Sequence, residues 1–101
     1  LVTADEIPDP QHLDLRVTIG DEVLQSSNTR HMIFSVAQII AYITEAITLE
    51  PGDVIATGTP QGVGAARTPQ RFLKPGETVR VQIERLGALE NPVVAERRAA
   101  G

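Results

Sequence analysis

The segment Thr48–Gly64 limits the possible folds of this chain more than any other part of the sequence. It begins with a turn, because Pro51 presets φ at the first corner and Gly52 accepts the positive φ that a type II turn needs at the second. The next residues, Val54-Ile55-Ala56, form a short apolar run of the kind found in a buried strand. We therefore predict a turn that leads into a buried strand and then into a loop.

The loop that follows contains glycines at positions 58, 62 and 64 and a proline at position 60. Glycine lets the backbone approach another group closely, and Thr59 adds a hydroxyl at the same place. Two phosphate-binding motifs are excluded, because no lysine follows the last glycines and their spacing differs from G-x-G-x-x-G. The residues alone leave two interpretations: a ligand cradle, or an ordinary turn, which is the commoner use of such a composition.

Composition excludes several classes of protein. The 101 residues carry a net charge of −4 without a cluster of lysine and arginine, which argues against a nucleic-acid partner. The absence of cysteine excludes disulfides, thiolate metal sites and a cysteine nucleophile. No apolar run approaches the length of a membrane span, so we expect a cytoplasmic protein without a secretory leader or a membrane partner. Because the chain begins at Leu1 rather than at methionine, we also expect it to be part of something longer.

Alternating apolar residues predict the strands. Residues 13–19 alternate, Gly20-Asp21 fits a type II′ hairpin turn, and Glu22–Gln25 forms the return strand. A second Pro-Gly turn, at residues 75 and 76, leads into another alternating strand with Val79, Val81 and Ile83 facing inward. Shorter strands are predicted at the start of the chain, over residues 1–3, and near its end, over residues 87–94.

One amphipathic helix is predicted after the first hairpin. Ser35 and Gln38 form a capping box, and Phe34 and Ile39 are spaced for a hydrophobic staple. The apolar residues then follow helical spacing and predict a face that packs on the sheet as core: Val36, Ile39, Ile40, Ile43 and Ile47. Strands without a βαβ rhythm, together with this helix, predict a β-rich α+β domain with one main amphipathic helix.

Two groups of polar residues invite a chemical interpretation. Asp5, Glu6 and Asp9 lie in a proline-stiffened connector that we expect to be extended, and carboxylates are ligands that hard cations prefer. A solvated acidic loop is the commoner use of such a charge cluster, and we adopt that interpretation. We likewise interpret His12 and His31 as surface histidines.

The run Thr48–Gly64 resembles the signature of the fumarylacetoacetate hydrolase family. The resemblance extends upstream through residues 3–7, 25–29 and 32–34, and downstream through residues 72–76 and 87–93. It is closest to members described as 2-hydroxyhepta-2,4-diene-1,7-dioate isomerases. It implies a partial β-sandwich roll in which residues 1–94 form the C-terminal part of a catalytic domain and residues 95–101 form a polar tail.

The resemblance also implies an activity. Members of this family cleave, decarboxylate, hydrate or isomerise 2-oxo acids and acylpyruvates, with Mg²⁺ and sometimes Mn²⁺ or Ca²⁺. We therefore expect an isomerase or hydrolase of aromatic-compound catabolism. An acylpyruvate hydrolase, an oxaloacetate decarboxylase and a non-catalytic β-rich binding or subunit domain are the alternatives. The family's metal ligands and its catalytic Lys, His and Glu lie upstream of the segment matched here, so we assign no catalytic or metal-binding residue in this chain.

The resemblance assigns one substrate contact, at Thr59, whose hydroxyl and backbone N–H would bind a carboxylate or carbonyl oxygen. Gly58 would let the backbone approach that oxygen. Gln25, Asn28 and Thr29 are expected to be polar scaffolding for the connection from hairpin to helix. We expect the chain alone to be inactive and to pair with an upstream segment or a second chain, within a homodimer that binds a small 2-oxo acid.

Overall fold

The computed structural model describes residues 1–97 as a four-stranded antiparallel sheet with one α-helix. The strand order is β2-β1-β3-β4. The elements are β1 (Asp14–Ile19), β2 (Glu22–Asn28), α1 (Val36–Ile43), β3 (Thr78–Ile83) and β4 (Gly87–Pro92). Single 3₁₀ turns cover Ala4–Glu6, Thr29–His31 and Gly64–Ala66. The prediction of a β-rich α+β domain with one main helix is confirmed, and the last residues of the predicted tail, 98–101, lie outside the described residues.

The first hairpin has the predicted two-residue turn. Gly20 has a φ of +56° and Ile19 pairs with Glu22, so glycine supplies the positive φ at the first corner. The return strand β2 continues to Asn28, three residues beyond its predicted end. It also contains a bulge, because Val17 pairs with Gln25 and the next pair joins Thr18 to Val23. This leaves one extra residue on β2 and changes the direction of the strand.

The helix has the predicted cap but not the predicted packing. Ser35 Oγ accepts a hydrogen bond from the Gln38 N–H at 3.1 Å, and Gln38 Oε1 accepts one from the Ser35 N–H at 2.8 Å. No residue of α1 is buried, and Ile40 is 41% exposed. The prediction that the apolar face is core is wrong for this chain, because residues 1–97 supply no second layer to cover it.

Two predicted strands are absent from the described part of the chain. Val54-Ile55-Ala56 is unpaired, and Val54 is 92% exposed. Leu1–Thr3 is also unpaired, and Thr3 instead caps the 3₁₀ turn of Ala4–Glu6, which replaces part of the expected extended connector. Apolar runs form strands only where a neighbouring backbone offers hydrogen-bond partners. Within residues 1–97 no strand pairs with either of these two segments.

The core is small for a chain of this length. Leu13 and Ile19, each 6% exposed, are the buried apolar residues within residues 1–97. The chain exposes 8423 Å², whereas a folded domain of this mass exposes about 5,600 Å². Its radius of gyration is 16.8 Å, against about 13 Å for a compact domain of 100 residues. A large apolar surface is therefore open on this chain.

Within residues 1–97 no helix has both the length and the hydropathy needed to cross a membrane.

Candidate functional site

The loop that carries Thr59 starts from the predicted Pro-Gly turn. Gly52 has a φ of +97°, and the Asp53 N–H donates to the Glu50 carbonyl oxygen at 3.1 Å, as a type II turn requires. The backbone then runs to Gly58, whose φ of +96° favours glycine at this position. Thr59 follows at the surface with an exposed side chain. The turn thus presents the residue that the family resemblance assigns to substrate binding.

Gln25 holds this loop from the neighbouring β2 strand. Its Nε2 donates to Thr59 Oγ1 at 2.9 Å and to the Pro60 carbonyl oxygen at 2.7 Å. A third oxygen, the Gln61 carbonyl, lies 3.5 Å away. The sequence predicts that Gln25 fixes the connection from hairpin to helix. The structure instead shows it bridging the bulged strand to the loop of Thr59, 34 residues further along the chain.

Asn28 and Thr29 make the expected contacts at the hairpin-to-helix connection. Asn28 Oδ1 accepts from the Arg30 N–H at 2.9 Å, and Thr29 Oγ1 accepts from the Leu13 N–H at 3.0 Å. Sequence reasoning missed Gln11, which bridges the same connection. Its Nε2 donates to the Thr29 carbonyl oxygen at 2.9 Å, and its Oε1 accepts from the Val36 N–H at 2.6 Å. Nothing in the local pattern marks a single glutamine as such a bridge.

Gly62 and Gly64 allow the backbone after Thr59 to pass close to two other backbone segments, at Leu24 and Arg71. A Cβ on Gly62 would lie 2.4 Å from the Leu24 carbonyl oxygen, and a Cβ on Gly64 would lie 1.7 Å from the Arg71 carbonyl oxygen. Neither distance is compatible with a side chain. Arg67 joins the same region to the bulge, because its guanidinium donates to the carbonyl oxygens of Gly62, at 3.0 Å, and Leu24. Glycine here therefore serves close packing of backbone.

Arg71 anchors the far end of this segment. Its guanidinium donates to both carboxylate oxygens of Glu77 and to Glu22 Oε2 at 3.3 Å. The Arg71 and Glu77 side chains are 20% and 22% exposed. The Arg71 guanidinium, followed by the Lys74 N–H, lowers the pKa of Glu77 below its ordinary value, and the Glu77 carboxylate in turn raises the pKa of Arg71. The ion pair joins the loop to the second Pro-Gly turn, where Gly76 has a φ of +92°.

A cleft of about 390 Å³ opens beside Thr59. The loop residues Gly58 and Thr59 line it, together with the polar residues Asn28 and His31. The remaining lining is mostly apolar and includes Leu15, Met32, Phe34 and Ile39. The structure thus brings Gly58, Thr59 and Asn28 into one cavity. His31 is exposed, as expected, but its position on the cleft was not anticipated.

The acidic connector is occupied by local contacts. Thr3 donates to Glu6 from its backbone N–H, at 2.9 Å, and from its hydroxyl, and these bonds lower the pKa of Glu6. The Gln11 N–H, followed by the His12 ring 2.6 Å away, lowers the pKa of Asp9. Over residues 1–97 no group of three or more His, Cys, Asp or Glu side chains is arranged to hold a metal ion. The described residues therefore do not fit a metal centre.

Comparison with known proteins identifies the family. The sequence pattern described as "Fumarylacetoacetate (FAA) hydrolase C-terminal" matches residues 1–94. The mitochondrial oxaloacetate tautomerase of Xenopus laevis is 49% identical over 94 residues, which are 93% of this chain and 30% of that protein. The chain thus spans about a third of the length of such relatives.

Solved structures agree in fold. A fumarylacetoacetate hydrolase from Exiguobacterium antarcticum superposes with a TM-score of 0.87 at 40% identity, covering 94% of this chain and 34% of that one. The maleylpyruvate hydrolase of Sphingobium sp. SYK-6, in complex with manganese(II) and pyruvate, superposes with a TM-score of 0.81 at 36% identity. The match covers 93% of this chain and 33% of that one. The 2-hydroxyhepta-2,4-diene-1,7-dioate isomerase of Mycobacterium marinum superposes with a TM-score of 0.73 at 42% identity. The match covers 87% of this chain and 32% of that one. The chain belongs to the fumarylacetoacetate hydrolase family and corresponds to the C-terminal portion of these enzymes.

Proposed function

We propose that this chain is the C-terminal part of an enzyme that isomerises or cleaves 2-oxo acids, of the 2-hydroxyhepta-2,4-diene-1,7-dioate isomerase type, in aromatic-compound catabolism. In this proposal Thr59 binds an oxygen of the substrate. The observation that carries it is the state of Thr59, which is exposed on the cleft. Neither its backbone N–H nor its hydroxyl donates a hydrogen bond to an acceptor within residues 1–97. Two free donors on one residue are suited to an anionic oxygen.

The geometry supports a binding role for the loop. Gly58 has open space where a side chain would stand, so a substrate oxygen can approach the backbone of the turn. Gln25 holds the loop through Thr59 Oγ1 and the Pro60 carbonyl oxygen, so the two donors of Thr59 are oriented before the substrate binds. Oriented donors stabilise charge more than mobile ones. In the complete enzyme we propose that Mg²⁺ is ligated by residues outside this chain. When bound, it would polarise the 2-oxo group.

A second candidate substrate is oxaloacetate. It is favoured by the 49% identity to the tautomerase of Xenopus laevis, whose name states that substrate. Oxaloacetate is a 2-oxo acid and 2-hydroxyhepta-2,4-diene-1,7-dioate is the enol form of one, so both would place a similar carboxylate or carbonyl oxygen at Thr59. Turnover of oxaloacetate, acylpyruvates and 2-hydroxyhepta-2,4-diene-1,7-dioate, measured side by side in the complete enzyme, separates them. An absence of turnover for every one of these compounds would favour the non-catalytic alternative.

The open surface supports a partner for the chain. It exposes 8423 Å², about 2,800 Å² more than a folded domain of its mass. Exposed apolar residues include Phe34, Ile40, Tyr42 and Val54. We propose that an upstream segment, or a second copy within a dimer, covers them, and that the isolated chain is inactive. Co-expression with an upstream segment should restore turnover, and sedimentation that shows a stable folded monomer of the isolated chain would contradict the proposal.

The test of the site is the variant Thr59→Val in the complete enzyme. Valine keeps the shape of the side chain and removes the hydroxyl, so an oxygen of the substrate loses one donor. We expect kcat/KM to fall about 5- to 150-fold, which corresponds to about 1–3 kcal/mol for an unpaired polar partner. Thr48→Val is the matched control, because Thr48 is exposed and lies outside the cleft. Equal kcat/KM in the two variants would remove Thr59 from the site.

A further inference from the structure

We propose that Gln25 is a positioning residue that fixes the direction of the Thr59 hydroxyl, so that its proton is donated to the substrate oxygen. This inference rests on the proposed role of Thr59 in substrate binding. Gln25 is half-buried on β2, directly after the bulge, and its amide reaches the loop of Thr59. Bulges often redirect a side chain next to an active site.

The contacts determine which end of the Gln25 amide faces the loop. The Pro60 carbonyl oxygen, 2.7 Å from Nε2, can only accept a hydrogen bond, so the amide must present its NH₂ group there. The second proton of the same NH₂ is directed to Thr59 Oγ1 at 2.9 Å, since the Gln61 carbonyl oxygen is more distant at 3.5 Å. Thr59 Oγ1 is therefore the acceptor in its bond with Gln25.

This assignment decides what the hydroxyl of Thr59 can do. A hydroxyl has one proton and two lone pairs, and Gln25 occupies one lone pair. In the hydrogen bonds within residues 1–97, Thr59 Oγ1 accepts from Gln25 and donates its remaining proton to no oxygen. The proton is thus available to an anionic oxygen in the cleft. Without Gln25, no side chain would fix the rotation of the hydroxyl.

A double-mutant cycle in the complete enzyme tests this proposal. Gln25→Met removes the donor and keeps the length of the side chain, and it is combined with Thr59→Val. The probe is oxalate, titrated calorimetrically in the presence of saturating Mg²⁺, so the readout does not depend on turnover. We expect Gln25→Met to weaken oxalate binding about 3- to 10-fold when Thr59 is present, as for the loss of one neutral hydrogen bond. In the Thr59→Val background the same change should have less than about a 2-fold effect.

The control and the second variant separate positioning from folding. Gln70 also holds a loop carbonyl, because its Nε2 donates to Ala65 at 3.0 Å, but it does not contact Thr59. Gln70→Met should leave oxalate binding unchanged. Gln25→Glu keeps the shape of the side chain but accepts the Thr59 proton and repels the anion, so it should weaken binding more than Gln25→Met.

Three results would overturn the proposal. Equal losses from Gln25→Met in both backgrounds would show that Gln25 only supports the loop through the Pro60 and Gln61 carbonyls. Unchanged binding in Gln25→Met, or wild-type binding in Gln25→Glu, would show that the direction of the hydroxyl does not matter. The proposed function fails separately, if Thr59→Val alone leaves oxalate binding unchanged.

Discussion

Replacement of Gly64 by alanine should strongly destabilise the fold, because Gly64 lies against the backbone of Arg71. The added Cβ would lie 1.7 Å from the Arg71 carbonyl oxygen and 2.9 Å from its carbon. Since Cβ atoms essentially never approach another atom within 3.0 Å, the backbone must open by at least 1.3 Å, the difference between 3.0 and 1.7 Å. That movement breaks the hydrogen bond from the Arg71 N–H to the Gly64 carbonyl oxygen, which is 2.9 Å long.

The cost can be estimated from these two effects. Forced displacement in a packed region costs about 1–3 kcal/mol, and the lost hydrogen bond adds about 1 kcal/mol. Relief by moving Arg71 is restricted, because its guanidinium is bonded to Glu77 and Glu22. We therefore expect Gly64→Ala to reduce the free energy of unfolding by about 2–4 kcal/mol.

The assay is urea unfolding of the complete enzyme, with Gly52→Ala as the matched control. Gly52 has a φ of +97° but open space where a Cβ would stand, so its cost is conformational only, about 1–2 kcal/mol. Gly64 has no positive φ in this structure, so its cost is steric only. A free energy of unfolding for Gly64→Ala within about 0.5 kcal/mol of wild type would refute the reasoning.

Two further predictions concern charge and metal. The pKa of Glu77 lies below its ordinary value of 4.5 in the fold, so its stabilising effect is complete above about pH 4.5 and is lost as the pH falls through the folded pKa. The difference in Tm between wild type and Glu77→Gln should therefore shrink below pH 4.5, and a difference that stays constant from neutral pH into acid would contradict the ion pair with Arg71. Because residues 1–97 contain no group of three metal-ligating side chains, calorimetric titration of the isolated chain with Mg²⁺ should reveal no tight site, and a single tight site would place the metal ligands within this chain.

The sequence was sufficient wherever the structure depends on neighbouring residues. The Pro-Gly turns, the Gly20-Asp21 hairpin and the capping box of Ser35 and Gln38 all follow from local backbone preferences, and all are present. Alternation likewise placed β1 and β3 along the chain, because a strand with one covered face repeats every two residues. Val79 and Ile83 of β3 are half-buried as predicted, but the prediction that Val81 faces inward as core is wrong, since Val81 is 37% exposed. These features need no knowledge of the rest of the chain.

Tertiary structure decided what depends on distant partners. The segment Val54-Ile55-Ala56 has the composition of a strand but lacks a strand to pair with in residues 1–97, and the apolar face of α1 lacks a covering layer. The bridge from Gln25 to Thr59 joins residues 34 positions apart and depends on an unpredicted bulge in β2. Local sequence patterns determine where the backbone turns and where helices and strands can form. The partner of a polar side chain is set by the folding of separate segments against one another, and that partner determines whether the Thr59 hydroxyl donates or accepts.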